Sequence, residues 1–286
     1  MRQTGRGEGG GVTNFISRWI GRVRRIIRKT RLQHAASVAG GIGADKEGPQ
    51  VFDSAALETL NKRLSHPDGL TVEALNAVLD DYFQRERSLQ DVQAYREGSR
   101  PWKKLADEVV PVAEYLIRTG AGGFVRFPLD SQPPDAWFRR SADEPWSGIE
   151  VTRALARAKY DIARDLRDKP IGRGFLGLPD DAKSEEYERT RKRGRITSSA
   201  AGARRSIEAA ITERIADKSD LKYAGQTLIV AAPLGSGGHH DWESMRLRLI
   251  EAARQTAFHR IAILDDARRS YTPVLVIDVP DANTAS

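Results

Sequence analysis

An α/β fold with a mixed sheet flanked by helices is what residues 101–280 predict, on three observations. A helix carrying Pro101 in its first turn leads into short β-rich segments divided by turn residues. Farther on, apolar runs too short to be helices, such as Leu228–Ala232, alternate with stretches of helical periodicity. Glycines and prolines fall between these segments, as turns require.

The elements follow in order. A helix is expected over 102–119, strands over 123–129, 135–140 and 147–153, and a helix over 154–167. Gly172, Gly174, Gly177 and Pro179 mark a loop, after which helices are expected over 182–193 and 199–218. Then come strand 226–234, helix 241–257 and strands 260–266 and 272–279, with 281–286 left as a tail. Upstream, residues 51–100 read as a small helical module. Its helices are expected over 54–64 and over 71–89, where Leu75, Val78, Leu79, Tyr82 and Phe83 make one apolar face. Residues 1–50 read as an arm and linker. From Phe15 to Leu32, apolar residues recur at three- and four-residue spacing while arginines fill the opposite face, giving a basic amphipathic helix.

Within 286 residues there is room for one substantial core and an appendage. The chain has no cysteine, which excludes disulfides, thiolate chemistry and Cys-based zinc sites; a cytoplasmic location is expected. No apolar run approaches the length of a membrane span, and the arginine-interrupted N-terminus lacks the unbroken apolar stretch of a signal peptide. The net charge of +7 is unevenly placed. Residues 1–33 hold nine basic side chains against Glu8 alone, a net +8, so the rest of the chain carries −1. The arm is therefore the natural contact for a polyanion, an anionic membrane or a partner's groove, through residues 14–32.

Two acidic residues stand out in the β-rich region. Pro134-Asp135 opens one expected strand, and after a turn containing Asp143, Glu144 and Pro145 the next strand holds Gly148-Ile149-Glu150-Val151-Thr152. A short hairpin would bring Asp135 and Glu150 together, and paired carboxylates are suited to Mg²⁺ or Mn²⁺, which take oxygen ligands and keep waters for a substrate phosphate. The plainer reading is Glu150 in a salt bridge on the open side of its strand.

This order of elements resembles the PD-(D/E)xK nuclease superfamily, in which a helix precedes three strands, Pro-Asp opens the second strand and an acidic residue followed by x-Lys lies on the third. The segment from Ala113 through Glu114 to Gly123-Phe124-Val125 is similar to the opening of archaeal-type Holliday-junction resolvases, which implies that Glu114 is a third metal ligand beside Asp135 and Glu150. Gly-Ile-Glu-Val-Thr is similar to a subset in which Thr, here Thr152, stands in place of the lysine. By the resemblance the lysine would come from a neighbouring helix, as Lys159 or, preferably, Lys218. What it implies is a restriction-endonuclease-like fold and a Mg²⁺- or Mn²⁺-dependent nuclease, acting on DNA in bacterial repair or defence. The alternatives are a nuclease-fold binding module that does not cut, and a protein that docks on membrane or partner through its N-terminal helix.

Two other features invite function. Arg189 to Arg205 holds seven basic residues uninterrupted by acids, either a phosphate track or a solvated helix face. Gly235 to Asp241 holds His239 and His240 beside an acid, either a metal site or a loop with Asp241 capping the next helix. No phosphate-binding loop or nucleophile-elbow motif is present.

Overall fold

Apolar residues at helical spacing draw the first two helices together. Helix α1 (Ser54–Leu64) buries Leu57, Leu60 and Leu64, and α2 (Val72–Gln84) buries Leu75, Val78, Leu79, Tyr82 and Phe83. Thr71 caps α2 by accepting the Ala74 N–H at 3.1 Å. Arg85 is extended, and Ser88 then caps a separate short helix, α3 (Leu89–Arg96), where one helix was expected to run on to 89. The computed structural model describes residues 54–85, 87–157, 159–161, 163, 178, 182–192, 199–234, 242–266 and 274–279. The expectations for residues 1–50, the Gly235–Asp241 segment and the tail lie outside them, as does most of 162–181.

From Lys103 the chain is helical to Arg118, in two parts. Leu105–Val109 is a π-helical turn and Val110–Arg118 is α4. Proline explains the change. Pro111 has no N–H to give to the carbonyl of Asp107, and the Val110 N–H bonds back to Leu105 instead, which widens the turn.

Seven strands follow chain order across one sheet: β1 (Leu70–Thr71), β2 (Phe124–Arg126), β3 (Ala136–Arg139), β4 (Ser147–Arg153), β5 (Thr227–Ala232), β6 (Arg260–Asp265) and β7 (Leu275–Asp278). Strands β1 to β4 pair antiparallel, β4 to β6 parallel, and β7 closes antiparallel on β6. The parallel pairs need crossovers. Helices α5 (Ser184–Lys192) and α6 (Ala200–Ala216) lie between β4 and β5, and α7 (Trp242–Arg254) lies between β5 and β6. Gly123 admits β2 to its place beside β3. Its φ is +129°, and a Cβ there would lie 2.3 Å from the Arg139 carbonyl oxygen.

Side chains alternate across the sheet, and each face has its own core. On one face Val125, Ala136, Ile149, Val151, Ile229, Ala231, Ala262 and Leu264 join the apolar residues of α1, α2 and the 103–118 helix. On the other, Leu228, Val230, Ala232, Ile261 and Ile263 pack against Ile207, Ile211 and Ile215 of α6 and Met245 and Leu249 of α7. Residues 51–100, expected as a separate module, share the first of these cores and give the sheet its first strand, and Val51–Ser286 forms one unit. The mixed sheet with helices over both faces is the α/β class that the alternating pattern predicts.

Candidate functional site

The β3–β4 ladder fixes where the two acids stand. Ala136 is paired with Ile149, so Asp135 and Glu150 come opposite each other one step beyond, on the same face of the sheet. Asp135 Oδ2 accepts the Val151 N–H at 2.8 Å, which continues the pairing past the end of β3 through a side chain. Burial, then the charges of Glu150 and Glu108, push the Asp135 carboxyl up to about 7, against the Val151 N–H and Lys218, which favour its ionised form.

Lys218 reaches this pair from the turn after α6. Its Nζ donates to Glu150 Oε1 at 2.6 Å and to the Tyr223 hydroxyl at 3.3 Å. Burial pulls the Lys218 ammonium down, but the hydrogen bond and charge of Glu150 outweigh it, and its pKa ends above the ordinary lysine value. The ammonium therefore acts as a cation and hydrogen-bond donor, never as a base, at neutral pH.

An open pocket of about 640 Å³ covers the pair, lined among others by Asp107, Glu108, Thr152, Arg153 and Arg214. Asp107 and Glu108 both belong to the π-helical turn. Glu108 pairs with Lys104 at 3.1 Å, and burial raises its pKa. Beside them Arg153, nine-tenths buried, bridges Asp107 at 2.9 Å and Asp266 at 3.1 Å. Tyr160 donates its hydroxyl hydrogen to Asp107, and Lys103 pairs with the same carboxylate at 2.6 Å.

Of the residues singled out from sequence, Asp135, Glu150 and Lys218 come together, with Thr152 on the same pocket wall. Lys159 instead pairs with Asp266, 3.2 Å away. Glu114 does not line the pocket. It lies in α4, about 9 Å along the helix axis from Glu108 at 1.5 Å per residue, and Glu108 is the helical acid close enough to act on Asp135. The Arg153 bridge and Glu108 escaped the sequence reading. The i,i+4 pairing of Lys103-Lys104 with Asp107-Glu108 was the available signal.

Among the described residues no group of three or more His, Asp or Glu side chains is arranged to hold a metal ion. A site of two carboxylates still suits Mg²⁺, which binds through one or two carboxylates and otherwise keeps its waters. Glu150 Oε2 fits that use, being buried with no hydrogen-bond partner among the described residues. Asp135 and Glu150 are thus the residues that would hold the ion.

A pH dependence follows from Asp135. Between pH ~4 and pH ~7 the folded chain keeps a proton that the unfolded chain has released, so stability falls as pH rises, by up to about 1.4 kcal/mol per unit, and the loss is complete above pH ~7. Urea unfolding in chelator from pH 5 to 8 is expected to show this decline in the wild type and a shallower one in Asp135→Asn. Parallel profiles would mean that the carboxyl titrates normally.

Comparison of the chain with protein-family models, curated proteins and solved structures finds no match. Fold and site together define an α/β protein with an open mixed sheet and a carboxylate–lysine cluster beneath a pocket. Among the described residues no helix is long and apolar enough to cross a membrane.

Proposed function

We propose that the chain is a metal-dependent nuclease with a restriction-endonuclease-like core, hydrolysing phosphodiester bonds of nucleic acid, DNA foremost. One observation carries the reading: Asp135 stands opposite Glu150 on adjacent strands while Lys218, 68 residues away in the chain, donates to Glu150 at 2.6 Å. When bound by Asp135 and Glu150, Mg²⁺ or Mn²⁺ supplies positive charge to the scissile phosphate and acidifies water at the site. Lys218 holds Glu150 in place, donates a second hydrogen to Tyr223 and keeps one ammonium hydrogen at the pocket wall, where it can orient water or a phosphate oxygen. Because it stays protonated, it adds a fixed cation where charge builds up in the transition state. This arrangement supports the idea that the lysine absent at Thr152 has been replaced from the turn after α6.

The test is incubation of the full chain with single-stranded and duplex DNA and RNA, with Mg²⁺, Mn²⁺ or chelator. Cleavage of at least one substrate is expected with metal and none with chelator. Intact nucleic acid under every condition, from folded protein, would refute the nuclease reading and leave a binding role for the same fold.

A further inference from the structure

The face of the sheet that carries Asp135 and Glu150 continues into a ladder of arginines and aromatic rings. Strand alternation puts Trp137 and Arg139 on the Asp135 side of β3, and Trp146 and Gly148 on the Glu150 side of the β4 strand and its approach. Phe124 and Arg126 of β2 pair with Arg139 and Trp137 and share that face. The Arg139 guanidinium lies 4.4 Å from the centre of the Trp146 ring and 5.3 Å from that of Phe124. Arg126 lies 4.9 Å from Trp146 and 5.9 Å from Trp137. Trp146 is the ring the two cations share, and its edge reaches Gly69, where a Cβ would lie 2.9 Å from the ring.

Three observations give this ladder a ligand. Neither arginine forms an ion pair among the described residues, whereas Arg153, Arg214, Arg248 and Arg260 all do. A guanidinium over a ring keeps its N–H edge available, and among the described residues only Arg139 Nη1 of these edges is used, by the Ala142 carbonyl at 2.8 Å. Finally, among the described residues the core formed with α6 and α7 takes none from β1, β2 or β3, so on this face the ladder lies beside the part of the sheet that α6 and α7 cover. Half-buried cations without carboxylates, set among aromatic rings, match a polyanion that also carries flat apolar surfaces.

The geometry points to a strand-binding track: Arg126 and Arg139, held over Trp146, Trp137 and Phe124, bind the backbone of a single-stranded nucleic acid and lead it to Asp135 and Glu150. Rung and site are close. Trp137 is two residues along β3 from Asp135, and Arg139 is four, about 13 Å at strand rise. The proposal rests on the nuclease reading for its direction, and it adds the substrate class, single-stranded or locally unpaired nucleic acid.

Binding is measured in chelator, so that no cleavage is needed, by anisotropy of labelled oligothymidylate and of a duplex of equal length across a salt series, with the full chain. Oligothymidylate is expected to bind the tighter of the two. Arg126→Gln with Arg139→Gln is expected to weaken its binding by about tenfold or more, since each lost contact is a charged hydrogen bond. The slope of log K against log salt should fall by about 1.4, at about 0.7 per phosphate on a single strand. Arg126→Lys with Arg139→Lys keeps the charge but loses the stacked fork, so affinity should drop with the slope nearly unchanged; this pair decides the matter should the glutamine pair fail to fold. Unchanged affinity in the deciding pair, or tighter binding to duplex, overturns the track. Cleavage with metal alongside unaltered binding by the variants sinks the track alone. Salt-dependent oligothymidylate binding lost in the variants, with no cleavage under any metal, sinks the nuclease reading alone.

Discussion

Glu150→Gln is expected to reduce metal-dependent cleavage by roughly a thousandfold, because a catalytic divalent ion supplies several kcal/mol of transition-state stabilisation and each 1.36 kcal/mol is a factor of ten. The strand should survive the change. Glutamine is isosteric, it can still accept a hydrogen bond from Lys218, and it removes one of the charges that push the Asp135 carboxyl up. Single-turnover rates for wild type and variant, with urea unfolding as the control for folding, provide the comparison. A folded variant that cuts at the wild-type rate would move the active centre away from β4.

Arg153→Met is expected to cost about 3–5 kcal/mol of stability, the range for removing one partner of a buried charge cluster. The guanidinium, whose side chain is 9% exposed, joins Asp107 and Asp266, themselves 13% and 12% exposed, and both carboxylates would be left close together with less compensation. Lys103 and Lys159 still reach one acid each, which limits the loss. Chemical denaturation at pH 7 measures it. A difference below about 1 kcal/mol would place the bridge among the surface pairs that contribute little.

Local pattern told most about the long or strongly periodic segments. Helix 54–64 and strand 147–153 stand where their spacing puts them, and the other core strands differ at their ends by up to three residues, the largest differences falling at the end of β2 and the start of β7. Strand β1 was invisible because two residues, Leu70 and Thr71, carry no alternation to read. The break between α2 and α3 was visible only as Ser88, a cap among polar neighbours. The π-helical turn needs Pro111 to be read together with the carbonyl it leaves unpaired, which periodicity does not register. For the site, Asp135 and Glu150 were legible because a short hairpin links them. The contacts that complete it span the chain: Glu150 with Lys218 over 68 residues and Arg153 with Asp266 over 113. No local rule encodes such distances. Only the crossover to β5 and β6 brings them together.

The short contact between Lys218 and Glu150 also bears on how the fold stands without any bound cation. A buried carboxylate without a neutralising group is costly, and here the chain carries that group itself, as a tethered counter-ion whose stem is anchored by the turn after α6. Under the proposed function, an arriving divalent ion would therefore join a cluster that is already electrically partnered. The architecture stands apart from small zinc domains, in which metal and folding are one event: on the proposed reading, this sheet would assemble first and take up an ion afterwards.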